Sequence, residues 1–471
     1  MAGALVLTPV LLVAEIWHTS QLHPIRHHPA AAVAGLVVVL IALAAVAWAF
    51  DRRPWLFPLA AVLALPFRVP IESGGQTANL LVPLYFVVAA GAVAFVARRL
   101  RAGAEEAEPP PRGALEWILL GFVVLYAVQA AYSADFTKAL EQVVFFYVPF
   151  ALLYAQLLAV RWDRELALRS LGVLVALALV FSVVGFFEYA TRTVFLNPDV
   201  IASNQFQSYF RVNSLFFDPN IFGRFLALVM LALVAVMLWS PRRRTVGYAG
   251  AAVAVLFAGL VLTLSQSSLG ALLVGLVVLA ALRWDPRRTF AAVGAIALVA
   301  LVVVLAFPGT VDLKLSSHRS LNKASSGRVE LIKGGLRLFA HRPVAGWGPG
   351  SFAKEYRRHE RTSSQRAADA SHTIPVTIAA EQGIVGLLVY LALLLAAFRR
   401  LLPGARGDPV RAAIAAGFAA LVFHTLLYAA FLEDPLSWTL LGVGSAFALG
   451  RAGAREPAGR AVPAKPQPSP A

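Results

Sequence analysis

Apolar residues occur along this chain in long runs that short polar or charged stretches separate. Most runs are close to the length of about 20 residues that a helix needs to cross the hydrocarbon core of a bilayer. Helices satisfy their own backbone hydrogen bonds in lipid, and the short alternating segments of a membrane barrel do not occur in the sequence. The pattern predicts about 14 spans, roughly at 3–17, 30–50, 55–66, 78–97, 115–132, 139–160, 166–190, 221–239, 246–265, 268–283, 289–306, 375–398, 410–430 and 435–450.

Two of these runs need interpretation. The third is short and bounded by proline, so it is interpreted as a re-entrant or tilted piece, and the predicted total becomes about 12–14 spans. The first 16 residues lack a basic start and a clear cleavage site, so they are interpreted as a span rather than a signal peptide.

Composition agrees with a membrane protein. Hydrophobic residues make up 59% of the chain and charged residues 14%, with a mean hydropathy of +0.72, whereas soluble domains are about a quarter charged. The predicted fold class is therefore all-α, a polytopic transmembrane helical bundle with one long extracytoplasmic loop containing amphipathic helices. The chain has no cysteine, which excludes disulfides, thiolate catalysis and sulfur-ligated metals.

Arginine and lysine follow the connections between spans. Alternate connections, together with the C-terminal tail, hold 23 of these residues, and the short loops on the opposite side hold five. This asymmetry predicts a cytoplasmic N-terminus in a multi-pass protein of the inner (cytoplasmic) membrane. The formal net charge of +16 is therefore attributed to membrane topology, and no nucleic-acid partner is expected.

The chain divides into four predicted parts. Residues 1–306 hold the first 11 transmembrane helices, 307–374 form an extracytoplasmic basic loop, 375–450 hold the C-terminal transmembrane helices, and 451–471 form a Pro-rich, disordered cytoplasmic tail. The loop carries 12 basic and five acidic side chains. A basic surface just outside the lipid suits an anionic ligand such as phosphate, and attraction to anionic lipid headgroups is the alternative.

The basic loop contains the stretch "GRVELIKGGLRLFAHRPVAGWGPGSF". Its apolar residues recur at helical spacing and predict an amphipathic helix that lies on the membrane and ends at Pro343. The stripe consists of Val329, Ile332, Leu336 and Phe339. The Gly-rich "GWGPGSF" that follows is interpreted as a turn where backbone can approach a ligand closely.

Five residues are candidates for chemistry in and around this loop. His372 precedes the twelfth span, where an imidazole can act as general base, and an interfacial histidine wetted by water is the alternative. Glu381 lies inside that span and is assigned a structural role. Arg328 begins the loop helix, where a guanidinium can grip pyrophosphate with two parallel donors, or simply be solvated. Arg211 and Arg224 flank the start of the eighth span, as phosphate ligands or as capping and interfacial residues.

Other titratable groups carry less weight. Asp218 is assigned as a helix cap rather than a catalyst, because Pro219 follows it at a position suited to the first helical turn. Metal chemistry is not expected, because the histidines of the basic loop match no compact ligand spacing. These are His318, His341, His359 and His372.

The order of four stretches resembles the O-antigen ligase and O-antigen polymerase superfamily. They are "RVNSLFFDPNIFGRFLA", "LTLSQSSLGALL", the loop stretch quoted above and "HTIPVTIAAEQGIVG". The resemblance implies a metal-independent GT-C glycosyltransferase without a cofactor. Such an enzyme takes a glycan from an undecaprenyl-pyrophosphate carrier and passes it to a glycan or lipid acceptor outside the cytoplasmic membrane. It further implies His372 as catalytic base and Arg328, Arg211 and Arg224 as pyrophosphate ligands.

The family's ligase motif has His, then Asn, Ser or Gln, nine residues, Gly, two residues, and Gly, Thr or Tyr. The segment from His372 to Gly386 fits this pattern, with Gly383 in place, except at Thr373. A second departure is "SQSSLG", where Ser268 stands in place of an arginine that the family usually carries. Loss of a charge-assisted contact costs about 1.5–3 kcal/mol. Other basic residues compensate for this loss, or this chain has a different donor or task.

The sequence leaves three classes of function open: a ligase or polymerase, a flippase or transporter, and a non-catalytic assembly partner. A ligase attaches a finished glycan and a polymerase extends a repeat-unit chain, and no acceptor motif separates them. A lipid-linked-glycan flippase or transporter would have the same composition, although internal repeats are not evident. A non-catalytic member of a polysaccharide assembly complex is the third alternative, and Ser268 favours it.

Overall fold

The computed structural model describes residues 29–73, 76–102, 113–195, 210–306, 328–360, 371 and 373–453. The first predicted span, at 3–17, and nearly all of the predicted tail lie outside these residues. Helices occupy the other predicted spans, and the polytopic helical bundle is confirmed. Eight described helices are long and apolar enough to cross a membrane, and three shorter apolar ones accompany them.

The described helices follow in chain order. They are α1 Pro29–Arg52, α2 Leu56–Ala64, α3 Val82–Ala102, α4 Ala114–Ala130, α5 Phe136–Gln142, α6 Val148–Ala159, α7 Arg164–Thr191, α8 Pro219–Trp239, α9 Arg243–Thr263, α10 Gln266–Arg283, α11 Pro286–Ala306, α12 Arg328–His341, α13 Phe352–Glu360, α14 Ile374–Leu401, α15 Pro409–Thr425 and α16 Pro435–Gly453. A π-helical turn, Val143–Tyr147, joins α5 to α6.

Local sequence explains where several helices begin. Asp218 caps α8 through its side chain and Pro219 follows it, as predicted. Ser265 caps α10 in the same way, and Asp408 caps α15 before Pro409. Side-chain oxygens at these positions accept backbone N–H groups that have no partner inside the helix. The polar residues between apolar runs therefore mark where these three helices begin.

The third predicted span is a helix of only nine residues, α2, and a hairpin that was not predicted follows it. Strand β1, Val69–Ser73, pairs antiparallel with β2, Gln76–Leu80. The Gly-Gly pair between the two strands in the sequence is a hairpin signal. The apolar run predicted as a helix from residue 78 therefore begins in a strand, and its helix starts at Val82.

Two apolar cores hold the bundle together. One lies between α1 to α4, α6 and α14 to α16, and the other between α7 to α10 and α15. Helix α8 is central to the second core and packs against α9, α10 and α15. Because α15 contributes to both cores, the C-terminal helices fix the two halves of the bundle against each other.

Contacts between helix ends agree with the predicted alternation of connections. Arg283 Nε donates to Leu238 O at 3.1 Å, which brings the ends of α8 and α10 together. Arg400 Nη2 lies 3.2 Å from Glu116 Oε2, which joins the end of α14 to the start of α4. We call this the basic end of the bundle. The residues predicted for phosphate binding lie at the opposite end, where α8 and α10 begin.

The predicted loop helix is confirmed as α12, but its buried face is different. Leu331 and Leu338 pack with Phe352, Tyr356 and Ala380 of α13 and α14. The predicted stripe lies beside this face, and its Leu336 is 49% exposed. Two glycines in the helix, Gly334 and Gly335, explain why this face is buried, because they let aromatic rings approach the helix backbone. Contact of the predicted stripe with the membrane stays a prediction.

Candidate functional site

Arg211 joins two helix ends at the site end of the bundle. Its Nε donates to Thr263 O, the last residue of α9, at 2.9 Å. Its Nη2 donates to Asn220 Oδ1, in the first turn of α8, at 3.4 Å. The side chain is half-buried. Arg211 is therefore held in a fixed position by a backbone carbonyl and a side-chain amide.

Three serines and a histidine continue from Asn220 into the bundle. Ser265 Oγ lies 2.8 Å from Asn220 Oδ1 and 2.8 Å from Ser268 Oγ, within hydrogen-bond distance of both. His424 Nε2, on α15, lies 3.2 Å from Ser267 Oγ and 3.3 Å from Ser268 Oγ. We call these five residues, Asn220, Ser265, Ser267, Ser268 and His424, the serine–histidine network. It continues the polar contacts of Arg211 into the interior of the bundle, between α8, α10 and α15.

Ser268, at the position where the resemblance implies an arginine, is fully buried in this network. Its Oγ also donates to Asn220 O at 3.2 Å. Gly223 faces it on α8, and a Cβ on that glycine would lie 2.8 Å from Ser268 Oγ. At this point α8 and α10 approach closely, and the small Ser268 side chain lies in the contact between them.

Arg328, at the start of α12, lies close enough to Arg211 for the two charges to repel each other. Burial and, next, the charge of Arg211 lower the pKa of Arg328. Its guanidinium makes no hydrogen bond or ion pair with any residue that the structure describes. Two guanidinium groups from distant parts of the sequence thus share one half-buried region, which an anion would stabilise.

Arg224, one turn further into α8, is placed differently from the expectation. Its side chain is 1% exposed and forms an ion pair with Asp434, which is 2% exposed. The expectation that it reaches outward to the interface is therefore wrong, because Asp434, just before α16, holds it inside the bundle. Its Nε and Nη1 have no hydrogen-bond partner among the described residues. A role for Arg224 in pyrophosphate binding stays a prediction.

His372 lies outside the described residues, and its catalytic role stays a prediction. The residues on either side are held firmly. Thr373 Oγ1 donates to Leu426 O at 3.0 Å, and Ser371 Oγ donates to Thr373 O at 2.7 Å. The chain that enters α14 is therefore fixed against the segment that leaves α15, immediately after His424.

The Gly-rich turn after α12 approaches protein rather than an open ligand space. Gly348 has φ +91°, and a Cβ there would lie 2.2 Å from Ser133 Cα. Its N–H donates to Glu381 O at 2.7 Å. The expectation that this backbone approaches a ligand is corrected, because the turn packs on the end of α4 and on α14. The turn instead holds the loop helices in place.

Glu381 has the structural role expected of it. Its Oε1 accepts the backbone N–H of Phe352, the first residue of α13, at 3.0 Å. The carboxyl oxygen thus satisfies a backbone N–H at a helix start that has no partner inside the helix. Two residues later Gly383 breaks the regular geometry of α14 with φ +68° and ψ −164°. That break lets Ile384 N–H donate to Pro343 O at 2.7 Å.

Sequence reasoning missed His424 and Asp434. His424 sits inside the apolar run 410–430, and an ionisable residue at membrane depth is a functional candidate by default, so this signal was available. Asp434 had no such signal, because its partner Arg224 lies on a distant helix. Within the described part of the chain, no group of three or more His, Asp or Glu side chains could hold a metal ion.

Residues 251–391 match the family model described as O-antigen ligase, Wzy_C. The matched segment runs from α9 into α14, and it includes Ser268, Arg328 and the motif from His372 to Gly386. This match supports the O-antigen ligase and polymerase superfamily and confirms the predicted resemblance. Arg211, Arg224 and His424 lie outside the matched segment. No curated protein matches the chain.

Proposed function

We propose that this O-antigen ligase-like chain transfers a glycan from an undecaprenyl-pyrophosphate carrier to a sugar acceptor at the outer face of the cytoplasmic membrane. The reaction is inverting and needs no metal ion. One observation carries the proposal: the guanidinium groups of Arg211 and Arg328 lie near each other in a half-buried region. Two positive charges in a half-buried region favour the binding of an anionic ligand.

Pyrophosphate suits this pair of side chains. A guanidinium can donate two parallel hydrogen bonds to phosphate oxygens, and each charge-assisted bond is about twice as strong as a neutral one. The negative charge on the leaving group grows as the bond to the sugar breaks. Fixed positive groups at that position stabilise the transition state more than the bound donor, so they accelerate transfer.

His372 is proposed as the base on the acceptor side. It accepts the proton of the acceptor hydroxyl while that oxygen bonds to the anomeric carbon. The bond from that carbon to the phosphate oxygen breaks, and polyprenyl pyrophosphate leaves. A single displacement inverts the anomer. The hydrogen bond from Thr373 to Leu426 holds the start of α14 against the end of α15, beside the segment in which this base is proposed.

The side of the membrane follows from charge. The candidate site lies at the end of the bundle opposite the basic end, and Arg- and Lys-rich connections favour the cytoplasm. The arrangement therefore supports a site that faces outward, where a flipped lipid-linked donor and an acceptor glycan meet.

The test uses the full chain in vesicles that are supplied with a lipid-linked glycan donor and an acceptor. We expect His372→Ala to abolish transfer while the protein accumulates normally. Arg328→Lys removes the two-pronged donor and should weaken donor use roughly tenfold or more. The matched control is Arg337→Lys on the same helix, whose exposed guanidinium pairs with Glu360.

Two results would refute the assignment. Full activity of His372→Ala removes the histidine from the chemistry, and equal effects of Arg328→Lys and Arg337→Lys reduce Arg328 to a surface residue. Deletion of the gene then separates the two forms of the reaction. Single-repeat surface glycans indicate a polymerase, unattached long chains indicate a ligase, and donor trapped on the inner leaflet indicates a flippase instead.

A further inference from the structure

His424 is a polar side chain that the proposed function does not use. Its ring is completely buried on α15. Nε2 faces the hydroxyls of Ser267 and Ser268, but Nδ1 has no hydrogen-bond partner among the described residues. A buried nitrogen without a partner costs about 1–3 kcal/mol. Such groups are usually satisfied by water or by a ligand.

The position of His424 connects both sides of the proposed site. Through Ser268, Ser265 and Asn220 its hydrogen bonds lead to Arg211. The positive charges of two further arginines, Arg224 and Arg328, act on it.

In the other direction, α15 leads two residues on to Leu426, whose carbonyl accepts from Thr373. Thr373 is the residue next to His372 in the chain. His424 therefore lies between the residues proposed for the pyrophosphate and the segment proposed for the acceptor.

The replacement of the family's arginine makes this position informative. At residue 268 the chain has a buried serine, and the side chain that packs on its hydroxyl is an imidazole from another helix.

We propose that His424 binds the pyrophosphate of the lipid-linked donor through its Nδ1–H group, in place of the missing arginine. This inference rests on the proposed function. An anion at Nδ1 selects the tautomer that carries its proton there. In that tautomer Nε2 is an acceptor, and the hydroxyl of Ser267 donates to it. Ser267 thus orients the ring, and the ring presents a donor to phosphate.

Two conservative variants separate the two ring nitrogens. His424→Asn keeps an amide near the position of Nδ1 and loses the contact with the serines. His424→Gln reaches the serines and has no donor at the position of Nδ1. The experiment measures KM and kcat for the lipid-linked donor in vesicles with the full chain. The control is the same pair of substitutions at His341, an exposed residue at the end of α12.

The proposal predicts that His424→Gln raises the donor KM roughly tenfold, the range expected for a lost bond to a charged group. His424→Asn should stay within about threefold of the original value on the same reasoning. Both His341 variants should match the original chain. A purely structural role, in which the ring only holds the serines, predicts the reverse order.

The reverse order, or equal effects of both variants at His424, would overturn the proposal. Should neither variant accumulate, Ser267→Ala provides a second measurement, since it removes a hydroxyl that orients the ring. It should raise the donor KM about threefold with kcat kept, and an unchanged KM would equally overturn the proposal.

If the original chain transfers no glycan, the proposed function itself fails. If it transfers glycan and the His424 variants behave like it, only the role of His424 fails.

Discussion

Replacement of Gly383 by alanine should destabilise the contact between α14 and the basic loop. Gly383 has φ +68° and ψ −164°, a combination that side-chain-bearing residues avoid. A Cβ at this position would lie 2.2 Å from the carbonyl oxygen of Val344. That oxygen belongs to backbone, so the clash cannot be relieved by rotating a side chain. The turn after α12 has to move.

The size of the effect follows from what the movement breaks. The disfavoured backbone conformation costs about 1–3 kcal/mol. Displacement of the turn also strains two backbone hydrogen bonds, from Ile384 N to Pro343 O at 2.7 Å and from Gly348 N to Glu381 O at 2.7 Å. Each is worth about 1 kcal/mol. Together these terms predict a loss of roughly 3–5 kcal/mol.

The assay is thermal unfolding of the purified chain in detergent, followed by loss of the monodisperse peak in size-exclusion chromatography. Midpoints are compared at one heating rate, because membrane proteins of this size often unfold irreversibly. The matched control is Gly121→Ala in α4, where nothing lies within 4 Å of the added Cβ. That variant should be neutral or slightly stabilised, since alanine favours helix. If Gly383→Ala unfolds at the same temperature as this control, the explanation of the motif glycine is wrong.

Three other outcomes follow from the same contacts. Asp434→Asn leaves the Arg224 guanidinium buried without a counter-charge and should cost about 3–5 kcal/mol in thermal unfolding, whereas joint replacement of both residues by Met and Leu should recover most of it. Glu381→Leu removes the acceptor of the Phe352 N–H and should cost about 1–3 kcal/mol, while Glu381→Gln, which keeps an oxygen, should cost less. Glycan transfer should persist in EDTA, and a loss that a divalent ion restores would contradict a metal-free reaction.

Much of the fold could be predicted from the chain alone. Apolar runs of helical length place the described spans within a few residues, and capping residues such as Asp218 mark where helices begin. The hairpin between α2 and α3 was missed because its second strand, Gln76–Leu80, continues into an apolar run. The buried face of α12 was also missed. Its two glycines, which the apolar stripe does not include, form part of the surface on which α13 and α14 pack.

The candidate site divides in the same way. Arg211, Arg328 and His372 were predicted from residue type, position at a span end, and resemblance to a family, and their roles stay predictions. The prediction that Arg224 reaches the interface was wrong, because only the fold shows that Asp434 lies beside it inside the bundle. His424 was missed because it is a single polar residue in a long apolar run. The sequence also does not show that its ring lies beside Ser268.

The sequence by itself determined which segments enter lipid, which end of the bundle is basic, and which residues have chemistry suited to pyrophosphate. These properties are local, since the bilayer and the aqueous phase act on each segment separately. Only the tertiary structure decided which polar groups meet inside the bundle. Pairing of Arg224 with Asp434, and of Ser268 with His424, depends on how α8, α10, α15 and α16 pack, and packing follows from close contacts between residues far apart in the chain.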